Sequence, residues 1–147
     1  MQLAPAYDLT IASLAVLYTR PTMMSSPRTN ARTPYSDPIC ASATVEEGGR
    51  GFRFELDWHG EQAAAFVIRF LGRAHAYLNR CGHVPVELDW QPGEFFDTTR
   101  LYLICATHGA LYDPRSGACR GGRCNGQGLV ALPVEERDGH IYLIEEN

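Results

Sequence analysis

Hydrophobic and polar residues alternate without interruption from Phe52 to Trp58, which predicts a β-strand with one buried face. A more continuous apolar run at residues 65–71 indicates a second strand that is more deeply buried. Later runs with strand character predict four further strands, at residues 74–78, 101–104, 129–134 and 140–144.

The turns between these strands are also visible in the sequence. His59-Gly60 follows the first strand, and Asp138-Gly139 is typical of the turn of a closing hairpin. Residues 61–66 are compatible with a single helical turn, but no stretch after Val45 keeps a 3.6-residue apolar period. We therefore predict an all-β fold built of antiparallel sheets.

Two Gly- and Pro-rich segments interrupt the strands, at residues 82–99 and 109–128. Loops this long inside a compact domain are usually functional. A Cys/His pair lies at the start of each segment. We expect a small binding subdomain at about residues 80–125, formed by two loops that carry these pairs.

The N-terminal part of the chain has a different composition. Residues 21–43 are rich in Pro, Ser, Thr and Arg and cannot bury enough apolar surface to offset chain entropy. We interpret residues 1–44 as a disordered extension or as the result of a start site placed too early, and residues 45–147 as one domain. The apolar run at residues 9–18 is far shorter than the roughly 20 residues of a membrane span. We expect no membrane association and a cytoplasmic location.

The charge of the chain limits its partners. Its 147 residues carry a net charge of −4, and the Arg residues are scattered, which argues against binding to nucleic acid. A mildly acidic surface suits a protein that meets a basic face on its partner. We expect a monomer or a weak oligomer.

The cysteines interleave with histidines in a pattern typical of metal binding. Five cysteines is an odd number, which is unusual for a disulfide framework. Cys81-Gly-His83 and Cys105-Ala-Thr-His108 each follow a predicted strand. Two such pairs on facing loops supply two thiolates and two imidazoles to a shared centre.

Two metal centres use this set of ligands. Structural zinc sites accept Cys₂His₂, but zinc fingers pair Cys with Cys and His with His at their usual spacings. A [2Fe–2S] cluster with two Cys on one iron and two His on the other explains why each loop here mixes the two types. The short spacings suit ligands that reach two adjacent irons.

With these motifs the chain resembles the Rieske iron–sulfur proteins, in particular the soluble Rieske-type ferredoxins. The family pattern C-x-H…C-x-x-H matches Cys81, His83, Cys105 and His108, and the run from His108 to Asp113 resembles the family's His-Gly…Tyr/Phe-Asp run. The resemblance covers residues 45–147. It implies that the four residues bind the cluster, with the cysteines on the inner iron and the histidines on the outer iron near solvent.

The resemblance also implies a function. Soluble members carry single electrons from a flavin-dependent reductase to a terminal oxygenase or a similar acceptor. No nucleophile–base pair, nucleotide-binding loop or second metal site is visible, so we expect no catalysis by this chain alone. The alternatives are a zinc-stabilised binding module and a redox or iron sensor that uses cluster occupancy as its signal.

Several positions depart from the family pattern. Gly82 and Ala106 stand where Pro often follows the ligating Cys, and residues 120–124 replace a Pro-containing third loop. The respiratory members have two further loop cysteines, whose positions hold Val86 and Thr107, and a hydrogen-bonding Ser, replaced by Ala110. Fewer donors to the sulfurs predict a reduction potential in the lower part of the range for this class. For Cys119 and Cys124 the sequence leaves a disulfide, a free thiol pair and simple packing open.

Overall fold

The computed structural model describes residues 37–82 and 84–144. Its strands are β1 (Pro38–Ala41), β2 (Phe52–Trp58), β3 (Glu61–Phe70), β4 (Arg73–Leu78), β5 (Leu103–Ile104), β6 (Leu111–Tyr112), β7 (Cys119–Gly121), β8 (Ala131–Leu132), β9 (Val134–Arg137) and β10 (His140–Leu143). Two short 3-10 turns lie at Ser42–Thr44 and Gly122–Cys124. None of the helical segments in this described part is long and apolar enough to cross a bilayer.

The strands form three antiparallel sheets, with strand orders β1-β10-β9, β2-β3-β4-β8 and β5-β6-β7. The predicted all-β fold is therefore confirmed. The hairpin turns at His59-Gly60, Leu71-Gly72 and Asp138-Gly139 all have positive φ at both residues. This conformation matches the twist of the strands it joins, and Gly favours it at the second position.

Strand β3 is buried on both faces. Ala63, Ala65 and Val67 face a core shared with Ile141 of β10, whereas Phe66 and Ile68 face a second core. Successive side chains of a strand point to opposite sides, so one strand serves both cores. This double burial explains the continuous apolar run in its sequence.

The second core joins the central sheet to the two loops that carry the Cys/His pairs. It contains Tyr77 from β4, Leu103 from β5 and Tyr112 from β6, together with the two cysteines Cys81 and Cys105. Phe66 and Phe95 stack in it with ring centroids 3.8 Å apart. The Cys/His loops are thus fixed to the main sheet through a packed apolar interior.

Two expectations about the strands need correction. Residues 61–66 form the beginning of β3 rather than a helical turn. The predicted strand at 129–134 is divided at Pro133: β8 pairs with β4, whereas β9 pairs with β10. Proline has no N–H group to continue a ladder, and here the chain changes sheets.

The N-terminal boundary also lies earlier than Val45. Residues 38–41 form β1, which pairs with β10 through Cys40↔Ile141 and Ala41↔His140. Ile39 and Cys40 pack against the core that contains Ile141. The remainder of the predicted extension, residues 1–36, lies outside the described residues.

Candidate iron–sulfur centre

The first ligand loop begins where β4 ends. Asn79 is buried, and its amide group donates to Asp89 Oδ1 (3.0 Å) and accepts from the backbone N–H of Leu88 (2.8 Å). The backbone N–H of Cys81 donates to the carbonyl of Val86 at 2.7 Å. These bonds close the chain after Cys81 into a compact loop and fix the direction of its side chain.

The second ligand loop begins where β5 ends and is a tight turn. The backbone N–H of Cys105 donates to Ala110 O (2.9 Å), and the N–H of Gly109 donates back to Cys105 O (2.8 Å). Gly109 has a φ of +76°, a conformation that side chains disfavour. The turn leaves Thr107 and His108 exposed at its tip.

The structure brings the two predicted cysteine ligands together. The thiols of Cys81 and Cys105 are close enough to influence each other, and the two residues are 4% and 0% exposed. Burial raises the pKa of the Cys105 thiol, and the neighbouring Cys81 thiol raises it further. Backbone N–H groups of Thr107 and His108 bond to the Cys105 sulfur and oppose this rise. Two buried thiols with sulfur-directed donors suit thiolates bound to a cation.

Tyr112 is a further contact that the sequence did not assign. Its hydroxyl oxygen lies 3.2 Å from Cys81 Sγ and accepts a 2.9 Å hydrogen bond from the backbone N–H of Gly82. Because Gly82 occupies the acceptor side, the hydroxyl hydrogen is available to the sulfur. Burial raises the pKa of Tyr112, and its bond to Cys81 raises it further, so it stays a donor.

In the described residues, no histidine of the two pairs shares the buried position of the cysteines. His108 is exposed at the tip of its loop, and His83 lies outside the described residues. In the described segments, no group of three or more His, Cys, Asp or Glu side chains is arranged around one metal ion. A Rieske cluster has two irons with two protein ligands each, so a thiol pair separated from an exposed imidazole is compatible with it.

A third loop, residues 119–128, packs against both ligand loops. Cys119 and Cys124 form a disulfide in it, which resolves the alternatives that the sequence left open. A Cβ atom on Gly122 would lie 2.8 Å from both Ala110 Cα and Gly109 O. A Cβ atom on Gly82 would lie 2.2 Å from Gln127 O. Glycine at these positions therefore lets the third loop approach both ligand loops closely.

Asp113 ties the third loop to β6. It accepts hydrogen bonds from the guanidinium groups of Arg115 (3.1 Å) and Arg120 (3.0 Å) and from the backbone N–H of Arg115 (2.8 Å). Hydrogen bonds from Arg115, and then from Arg120, hold the pKa of Asp113 well below its usual range despite burial. Asp113 is therefore a structural carboxylate, not a general base.

Comparisons with known proteins agree with this geometry. The family model of the Rieske [2Fe-2S] domain matches residues 37–136. The chain belongs to this family, and its cofactor is a [2Fe–2S] cluster. The predicted family and cofactor are thus confirmed.

Solved structures show the same fold. The ferredoxin of carbazole 1,9a-dioxygenase from Nocardioides aromaticivorans IC177 superposes with a TM-score of 0.58 at 22% identity, covering 78% of this chain and 99% of that one. The ferredoxin of Sphingomonas yanoikuyae B1 gives a TM-score of 0.56 at 22% identity, covering 74% and 97%. The terminal oxygenase of carbazole 1,9a-dioxygenase from Novosphingobium sp. KA1 gives 0.59 at 23% identity, covering 78% of this chain but 30% of that one. The comparison with curated proteins gives no match.

Proposed function

We propose that this chain is a one-electron carrier in which Cys81 and Cys105 bind one iron of the cluster and His83 and His108 bind the other. The observation that carries this assignment is the pair of buried, neighbouring thiols with an exposed His108 three residues beyond its second member. When bound, the cluster supplies a reversible one-electron redox couple. The protein holds the thiolates in a dry interior and leaves the imidazole side open to a partner.

The proposed redox partners are inferred from the ferredoxins whose structures match this chain. Matched proteins include ferredoxins of dioxygenase systems, and the chain covers nearly the whole of those ferredoxins but under a third of the matched oxygenase chain. We therefore propose a flavin-dependent reductase as electron donor and a terminal oxygenase as acceptor. On this proposal the chain has no catalytic activity of its own.

The test is metal and sulfide analysis with EPR of the dithionite-reduced protein. We expect two iron and two sulfide per chain and the signal of a Cys₂His₂-ligated cluster. Cys105→Ser should lose the cluster, whereas Cys40→Ser, which changes the free cysteine of β1, should keep it. His108→Cys should lower the potential of any retained cluster because a thiolate adds negative charge. Stoichiometric zinc without iron, in protein made with intact cluster assembly, would contradict the proposal.

A cytoplasmic location is part of the proposal, and the Cys119–Cys124 disulfide makes it testable. Cytosolic thiols are normally kept reduced, so a disulfide there must resist reduction. Thiol alkylation of acid-quenched cells, followed by mass spectrometry, would report the state of this pair. Fractionation that finds the protein outside the cytoplasm would contradict this part.

A further inference from the structure

The loop beside His108 has a charge opposite to that of the whole chain. The chain carries a net charge of −4, yet residues 109–129 contain Arg115, Arg120 and Arg123 with a single carboxylate, Asp113. The Asp113 side chain is 7% exposed, whereas those of Arg115 and Arg120 are 58% and 52% exposed. Solvent therefore meets guanidinium groups here, while the compensating carboxylate lies beneath them.

Arg123 adds a charge that no acidic group of the described residues balances. It is exposed, and none of the carboxylates in residues 37–82 and 84–144 forms an ion pair with it. The preceding residue, Gly122, packs on Gly109 and Ala110, directly after His108. The third loop thus carries a positive surface to the edge of the exposed ligand turn.

Acidic residues near the first ligand loop do not cancel this surface. Glu87 pairs with Arg53 at 2.9 Å, and the buried Asp89 lies 3.6 Å from the same guanidinium group. The exposed turn between Cys105 and Ala110 contains no carboxylate. The third loop therefore brings arginines and no carboxylate to the side of the exposed turn.

We propose that this basic surface, formed by Arg120 and Arg123, is the docking site for an acidic face of the electron-transfer partner. The inference rests on the proposed carrier function, and it reverses the expectation that an acidic protein of this kind meets a basic face. Within a Debye length the local charge governs the approach, whereas the net charge acts only at longer range. A partner carboxylate placed between Arg120 and Arg123 would orient its redox centre toward His108.

Small charged oxidants of opposite sign test this surface without the natural partner. The dithionite-reduced protein is mixed in a stopped-flow instrument with ferricyanide, an anion, or with tris(phenanthroline)cobalt(III), a cation. If the arginines govern the approach, the ferricyanide rate falls as ionic strength rises and the cobalt rate increases. A protein governed by its net charge of −4 gives the reverse for both probes. That reversal would overturn the inference.

Reversing the charge of single arginines tests where the docking surface lies. Arg123→Glu should lower the ferricyanide rate about three- to tenfold at roughly 10 mM salt and leave it nearly unchanged near 1 M, where screening is almost complete. The matched control is Arg137→Glu, at the end of β9, because the hairpin of β9 and β10 packs in the core around Ile141 and not in the core of the cysteine pair. It should change the low-salt rate less than twofold.

Additional measurements distinguish failure of the docking surface from failure of the proposed carrier function. The iron content and midpoint potential of each variant are recorded, and Arg123→Gln serves as a milder change if the Glu variant loses its cluster. Equal low-salt rates for Arg123→Gln, Arg137→Gln and wild type, each with an intact cluster, would overturn the docking surface but leave the carrier function standing. Absence of iron from the wild type would instead refute the proposed function.

Discussion

Tyr112 shows how a single hydroxyl group connects the two ligand loops. It lies 3.2 Å from Cys81 Sγ, and its position on β6 is fixed by pairing with Leu103 of β5, two residues before Cys105. Ala110, buried beside it, offers no side-chain donor. If Cys81 binds the cluster as proposed, the hydroxyl of Tyr112 adjusts the charge on its sulfur, which ties the reduction potential to this residue.

Tyr112→Phe should lower the midpoint potential. A donor to a sulfur stabilises the more negative, reduced cluster, and losing about 1 kcal/mol of that preference corresponds to about 40 mV for one electron. Direct electrochemistry on the purified holoprotein gives the value. Tyr77→Phe is the matched control, because its hydroxyl donates to Pro114 O at 2.6 Å and not to a ligand. Equal shifts in the two variants would contradict a specific role for Tyr112.

Gly82 controls how closely the first and third loops approach each other. A Cβ atom there would lie 2.2 Å from Gln127 O and 3.1 Å from Gly128 O, so the backbone must move. Gly82→Ala should destabilise the holoprotein by about 1–3 kcal/mol, as overpacking does, and reduce iron content. Thermal loss of the visible absorption measures both effects.

Gly121→Ala provides the comparison for this variant. A Cβ atom at Gly121 meets nothing within 4 Å, and its φ of 164° is extended backbone that any residue adopts. We expect this variant to resemble wild type. If Gly82→Ala were as stable as Gly121→Ala, the contact between the first and third loops would have no energetic importance.

At the scale of elements, the disulfide loop is the feature that distinguishes this domain from the family pattern in its sequence. Cys119 begins β7, whereas Cys124 ends the following 3-10 turn and is fully buried in the core next to the cluster cysteines. The bond fixes the turn that bears Gly122 and Arg123. It therefore holds both the ligand-loop contact and the proposed docking surface in place.

Replacing both cysteines of this pair by Ala should destabilise the domain by about 2 kcal/mol, the chain-entropy value for so short a closed loop. The reductant TCEP should destabilise the wild type but leave the double variant unchanged. Chemical denaturation followed through the cluster absorption measures each effect. Cys40→Ala, which removes a free thiol from β1, is the control. A double variant as stable as this control would show that the disulfide does not support the loop.

The strands themselves were predictable to different degrees. The alternating pattern located β2 with its observed bounds, because the apolar face of that strand is half-buried and Glu55 and Asp57 on the other face are exposed. Strands β6 and β7, of two and three residues, fell inside a predicted loop. Elements this short have no readable period, and their pairing depends on where the ligand loops bring the chain.

At the scale of the whole molecule, β1 joins the N-terminal side of the domain to its C-terminal hairpin. Pro38↔Tyr142 and Ala41↔His140 pair across almost the whole described chain. No local pattern predicts such pairing, since β1 contains Pro38 and lies in a polar, proline-rich region. The family match beginning at residue 37 is in line with this boundary.

Two truncations test the boundary. A chain of residues 37–147 keeps every described contact and should unfold at the same temperature as the full-length protein. A chain of residues 45–147 loses β1, leaves the edge of β10 unpaired and exposes its apolar neighbours, so it should unfold several degrees lower. Thermal denaturation of the two holoproteins gives the comparison. Equal melting temperatures would place the boundary at Val45 after all.

The sequence alone determined the fold class, the family and the cofactor, because strand alternation and the Cys/His spacing are local properties of the chain. The thiol pair, the Tyr112 contact and the Cys119–Cys124 disulfide depended on tertiary structure, because they join residues that only packing brings together. The same holds for charge. The net charge of −4 can be read from the sequence, but only the fold buries Asp113 beneath two arginines and brings the loop of Arg123 to the turn that follows His108.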